Sequence, residues 1–140
     1  MNYLVFLDSH AGELEKILSG VKCMLVKEIK SSQSSLCPVS QGDSLYFLRD
    51  NAERAVRVKA TVVRVFSLIN SLDEDLSHTL KEMQSRLQLT EDQYNYWSAK
   101  QQVLLVEFDC AQKIGVLQVA ENIVTDRTDW IPFEDFSQIT

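Results

Sequence analysis

Leu18-Ser19-Gly20-Val21-Lys22-Cys23-Met24-Leu25-Val26-Lys27 decides the architecture, because a helical segment ends and a strand begins inside it. Ahead of it, Leu14, Ile17 and Leu18 form one apolar helical face, and Ser9 stands where its side chain can cap the first turn. Gly20 suits the left-handed residue that stops such a helix. Cys23 to Ile29 then reads as a strand. Lys22 falls just past the turn, at the rim of any pocket that the helix and strand enclose.

Outward from this junction the pattern stays mixed. Tyr3 to Leu7 is a continuous apolar run bounded by Asp8-Ser9, as expected of a buried first strand. Ser31 to Gly42 is polar and turn-rich, and reads as a flap rather than an interdomain linker. Ser44 to Leu48 makes a third strand, and Arg49 to Glu53 has turn composition. From Ala55 to Phe66, Val56, Val58, Ala60 and Val62 alternate with Arg57, Lys59, Thr61 and Val63, the period of a half-buried strand. Ser71 with Glu74 predicts a capped helix to about Leu87, and Thr90 with Gln93 a second, shorter one ending near Ala99. Val103 to Phe108 and Ile114 to Val119 read as two strands joined by a hairpin turn around Ala111 to Lys113. The tail holds Trp130, Ile131, Phe133 and Phe136, so it should pack on the body, with Trp130 placed to meet Trp97.

Composition bounds the function. A chain of 140 residues with 45% apolar content fits one globular domain, taken as residues 1–140. No apolar run approaches the ~20 residues of a membrane span, and the first residues lack the basic start of a signal peptide. Cys23, Cys37 and Cys110 are odd in number and widely spaced, which suits free thiols in a reducing cytoplasm. A net charge of −6 argues against nonspecific coating of nucleic acid. The charge is uneven, however: residues 1–64 carry nine Lys/Arg against seven Asp/Glu, and residues 65–140 five against thirteen. An anion-binding surface is therefore expected from the first half.

The order of Gly20, Lys22, Gly42 and the strand at residues 55–66 resembles the ASCH domains of the PUA-like superfamily. That family shows Gly-x-Lys-x-x-Glu-x-Arg after its first helix; here Gly20 and Lys22 match, Leu25 replaces the acid and Lys27 the arginine. The resemblance covers about residues 10–110, leaving residues of about 120–140 as an extension. It implies an α+β fold, a PUA-like small mixed β-barrel of about six strands with one early helix and two helices between strands four and five. It also implies a link to RNA metabolism and a cleft floored by Lys22.

Three functions follow as expectations. The first is a module binding RNA or a nucleotide, with ligand-binding residues Lys22, Lys27, Arg57, Lys59, Tyr94 and Trp97. Arg57 and Lys59 would share a strand face and track phosphate, while Arg64 has the opposite parity unless a bulge intervenes. Tyr94 and Trp97, three apart on a helix, would stack on a base, with Tyr96 pointing away. The second is a small amidohydrolase acting on an N4-acylated cytidine. Family enzymes of that kind look to use the lysine, a threonine and a glutamate; here Leu25 stands at the threonine and Ser85 near the glutamate. Lys22, Cys23 and Glu82 are then the catalytic candidates, with no hydroxyl nucleophile among them. The third is a protein-interaction domain with a vestigial cleft, marked by an exposed apolar patch from the tail. His10 and His78 are isolated and the cysteines lack ligand spacing, so no metal and no cofactor is expected. Lys22 itself should be partly desolvated near Arg57 or Lys59, without a dedicated carboxylate, and its pKa lowered.

Overall fold

The computed structural model describes residues 1–8, 11–28, 39–49, 54–70, 75–120 and 130–140. Six strands are formed among them: β1 (Asn2–Leu7), β2 (Met24–Glu28), β3 (Ser44–Arg49), β4 (Ala55–Ile69), β5 (Gln102–Gln118) and β6 (Ile131–Phe133). They make one mixed sheet in the order β2-β5-β4-β3-β1-β6. β1 and β3 run parallel, and the other pairs are antiparallel. Four helices complete the α+β fold: α1 (Glu13–Leu18) after β1, then α2 (Leu76–Glu82), α3 (Gln84–Leu87) and α4 (Glu91–Ser98) between β4 and β5.

The expected barrel is corrected to an open sheet. Among the described residues no ladder joins β2 at one end to β6 or β1 at the other. The sheet nevertheless curls: the Lys27 ammonium of β2 lies 5.7 Å from the ring of Trp130, which precedes β6, and Trp130 lies 6.3 Å from Tyr3 of β1. Side chains, rather than backbone hydrogen bonds, stand between the two ends.

The expected hairpin at Ala111–Lys113 is also absent; β5 runs unbroken through it. Those residues offer no glycine or asparagine for a tight hairpin turn, and β4 is long enough to pair with the whole of β5. Register shifts between Val56 and Val58, Lys59 and Thr61, and Val62 and Arg64 bend the pair. One of them, at Arg57, sends Val56 to the outer face with Leu48 while Val58, Ala60 and Val62 stay inside. The sixth strand comes instead from the tail, where β6 pairs with β1.

The helix expected to reach Leu87 breaks at Met83, whose φ of −91° and ψ of 5° leave the helical range. Three helices therefore replace the two expected. α2 starts from Asp75, whose side chain accepts from the Ser77 amide, while Ser71 and Glu74 lie outside the described residues. Ser9, His10, Cys37 and flap residues 31–38 lie outside them too. The capping box of Thr90 and Gln93 forms at α4 as its sequence predicts. Gly20 and Gly42, at φ of 85° and 93°, take the left-handed turns.

Three apolar clusters follow. The curled inner face gathers Val5, Leu25, Phe47, Val58, Val106 and others with Leu14 and Ile17 of α1. Helices α2 to α4 cover the outer side of β2 and β5 through Met24, Leu76, Leu80, Leu87 and Leu105. The tail covers the outer side of β1 and β3, where Phe133 and Ile139 meet Leu4, Tyr46 and Leu48. Phe133 is 3% exposed and Phe136 41%. Phe133→Ala should thus cost about 3–5 kcal/mol in urea unfolding, and Phe136→Ala clearly less. Equal and small losses would mean that the tail merely rests on the sheet.

Candidate functional site

The junction between α1 and β2 is built around Lys22, which is 1% exposed. Its ammonium lies 3.3 Å from a carboxylate oxygen of Glu13 on α1 and donates to the Leu87 carbonyl at the end of α3. Glu13 also accepts from the Asp8 amide at the end of β1, at 2.7 Å. Leu25 is not the acid of the family pattern, but Glu13 supplies one from the helix. The expectation of a lysine without a dedicated carboxylate is therefore corrected. Sequence spacing could not show this, because the partners are nine positions apart and meet only once α1 folds back on β2.

Lys22 is not alone at this helix end. Lys16 donates to the Gln88 carbonyl at 3.0 Å, and the Cys23 amide to the Arg86 carbonyl at 3.0 Å. Three consecutive carbonyls, from Arg86 to Gln88, thus accept from the segment between Lys16 and Cys23. Helix carbonyls lack partners at a C-terminus, and lysines are suited to satisfy them. Arg86 adds a second tie, reaching Glu107 at 3.2 Å, while Arg64 holds the same carboxylate at 2.8 Å. Arg64 faces that way because the register shift after Val62 reverses its parity.

The other predicted ligand residues lie elsewhere. Lys27 is buried at the far end of β2, roughly 16 Å along an extended strand from Lys22. Lys59 stands over the Tyr46 ring on the outer face of β4, 5.7 Å from its centroid. Arg57 is exposed at the neighbouring register shift. Tyr94 and Trp97 share a face as the spacing predicts, but both pack against the leucine cluster beneath the helices. Trp97 meets Tyr96 at 5.0 Å, and Trp130 meets Tyr3, so the two tryptophans do not form the expected pair.

Of the catalytic candidates, Lys22 and Cys23 are chain neighbours and Glu82 lies on α2. Burial, with Glu107 next in size, pushes the Cys23 thiol pKa up, away from the nucleophilic thiolate. Glu82 pairs with His78 at 2.7 Å on the exposed side of α2. Among the described residues no group of three or more His, Cys, Asp or Glu is placed to hold a metal ion, and no helix is long and apolar enough to cross a membrane. Phe136 is the exposed large apolar residue of the described tail.

Burial lowers the Lys22 pKa below its ordinary value of 10.5, with Glu13 opposing the shift. Between the lowered value and 10.5 the unfolded chain binds more protons than the folded one, so this group adds stability as pH rises through that window. Lys22→Met should remove that alkaline gain. At neutral pH Lys22→Met or Glu13→Gln alone should cost about 3–5 kcal/mol in urea unfolding, because each leaves a buried partner uncompensated. The double variant should recover most of the loss, and a strictly additive pair would show that the two groups do not interact.

No family model and no curated protein matches the sequence. Solved structures do match. The ASCH protein of Zymomonas mobilis superposes with a TM-score of 0.70 at 11% identity, over 98% of this chain and 91% of that one. The N-terminal domain of Staphylothermus marinus McrB gives 0.54 at 9% identity, over 98% and 90%. A hypothetical protein from Leishmania major gives 0.54 at 14%, over 98% and 88%. The likeness to the Zymomonas protein takes in β6 and the tail as well as the segment read from the sequence. This chain has the fold of the ASCH domain.

Proposed function

We propose that this chain is a nucleic-acid-binding module that presents the outer face of β3 and β4 to single-stranded RNA. The observation that carries the reading is the pairing of cations with aromatic surface on that face. Lys59 lies cross-strand from Tyr46 and over its ring. Phe136 packs edge-on against Tyr46 at 5.3 Å and is 41% exposed, so a ring is open beside the cation. Arg57 is exposed two residues before Lys59. Phosphates on Arg57 and Lys59 with a base on Phe136 form a common arrangement for single strands. The ASCH-type fold supports the same class of partner by analogy.

Lys22 and Lys27 enter this reading through the fold. Lys22 is engaged by Glu13 and Leu87, and Lys27 is buried beside Trp130, so they hold the two ends of β2 in place. Arg57 and Lys59 are the predicted ligand lysine and arginine that reach solvent. Titration with a short single-stranded RNA should show binding that weakens with salt. Arg57→Ala and Lys59→Ala should each flatten the salt dependence by ~0.7 in the slope of log K against log salt. Binding that both variants leave untouched would overturn the assignment to this face.

A further inference from the structure

A cleft of about 300 Å³ lies among α2, α3 and α4, lined by Lys81, Gln84, Leu89, Thr90, Glu91 and Tyr94. Its size is at the lower end of the range for small-ligand clefts, ~300–1,000 Å³. Leu89 is 7% exposed, and beside it Tyr94 presents apolar surface. The walls are fixed by internal hydrogen bonds. The Tyr94 hydroxyl donates to the Ser77 carbonyl at 3.0 Å, which holds the ring in place. The Gln84 amide nitrogen donates to the Leu89 carbonyl at 2.6 Å, and its oxygen accepts from the Leu89 amide at 3.2 Å. Thr90 is committed to its capping box with Gln93. Lys81 and Glu91, by contrast, are exposed and their charged groups have no partner among the described residues. The cleft therefore combines an aromatic ring held in one orientation with one unmatched cation and one unmatched anion.

We infer that this cleft binds a single nucleotide, and that it does so separately from the sheet face proposed above for RNA. A nucleobase is flat and apolar on its faces, which suits Leu89 and the Tyr94 ring. Its phosphate is the group that an unpartnered ammonium at Lys81 attracts. The amino or ring N–H groups on its edge are donors for the Glu91 carboxylate. A purely anionic ligand would meet Glu91 unpaired, and an apolar one would leave both charges unmatched. A mononucleotide answers the ring, the cation and the anion together. Because bases are stacked and phosphates paired in both cases, the inference rests in part on the nucleic-acid reading, although it uses none of the same residues.

Calorimetric titration of the intact chain with CMP and AMP at low salt, alongside a short RNA, tests it. The expected result is binding of at least one mononucleotide, weakened at least tenfold by Lys81→Glu and by Tyr94→Leu. Amide NMR shifts in the unmodified protein should concentrate at residues 81, 84, 89–91 and 94, a readout that survives if Tyr94→Leu fails to fold. No heat with either nucleotide, or shifts that map elsewhere, overturns the cleft. If RNA still binds in that event, the sheet-face reading stands and only this inference falls. Free amino acids serve as the control ligand, and shifts at the cleft with them but not with nucleotides likewise overturn it.

Discussion

The pairing of β4 with β5 is the constraint on which the other elements depend. The two strands are fifteen and seventeen residues long; β2 pairs with the outer edge of β5 and β3 with that of β4, and β1 and β6 extend the sheet from β3. An unbroken flat pair of that length would place residues of one parity on one face throughout. Three register shifts prevent this, turning the pair and reassigning its side chains between faces. The curl they produce brings Lys27 of β2 near Trp130 at the other end of the sheet. It also turns Arg64 toward Glu107. The inner cluster, the helix layer and the tail layer are three consequences of one bent ladder.

The second organising element is polar. Removing two charges from water is costly, and a buried ion pair persists only where its remaining hydrogen-bonding groups are satisfied. Glu13 and Lys22 meet that condition with backbone: the Asp8 amide on one side and the Leu87 carbonyl on the other. The network therefore joins the end of β1, the start of α1, the entry to β2 and the end of α3. Helix α3 has only four residues and makes a single apolar anchor at Leu87, too little to fix its own position. Capture of its carbonyls by Lys16, Lys22 and the Cys23 amide supplies what its length does not. A lysine at a place where the family pattern suggests a cleft has thus become part of the frame.

The candidate contact residues divide by the same logic. Cations that the fold needs, Lys16, Lys22 and Arg86, are paired with carbonyls or with Glu107. Lys59, over the Tyr46 ring on the outer face, is half-buried, and Arg57 and Lys81 are exposed, the latter beside the helical cleft. The charge excess of the first half of the chain is therefore only partly a surface property, since two of its lysines are buried.

By itself the sequence determined the elements whose signals are local. The alternation from Val58 to Val62, the capping box at Thr90 and Gln93, and the glycines at the left-handed turns each express a short-range preference, and each is found where its residues place it. The ASCH-type fold was legible for the same reason, from the helix end at Gly20 and the strands that follow. The hairpin reading failed at Ala111–Lys113 because a continuous strand there depends on a partner more than forty residues away. The faces of Val56 and Arg64 depend on bulges, which leave no mark in the period of the strand itself. Only the tertiary structure joined Glu13 to Lys22 and Lys22 to α3, and set Tyr94 of α4 beside Lys81 of α2. Those relations arise from chain segments distant in sequence, and their energetics exist only when packing has removed the water between them.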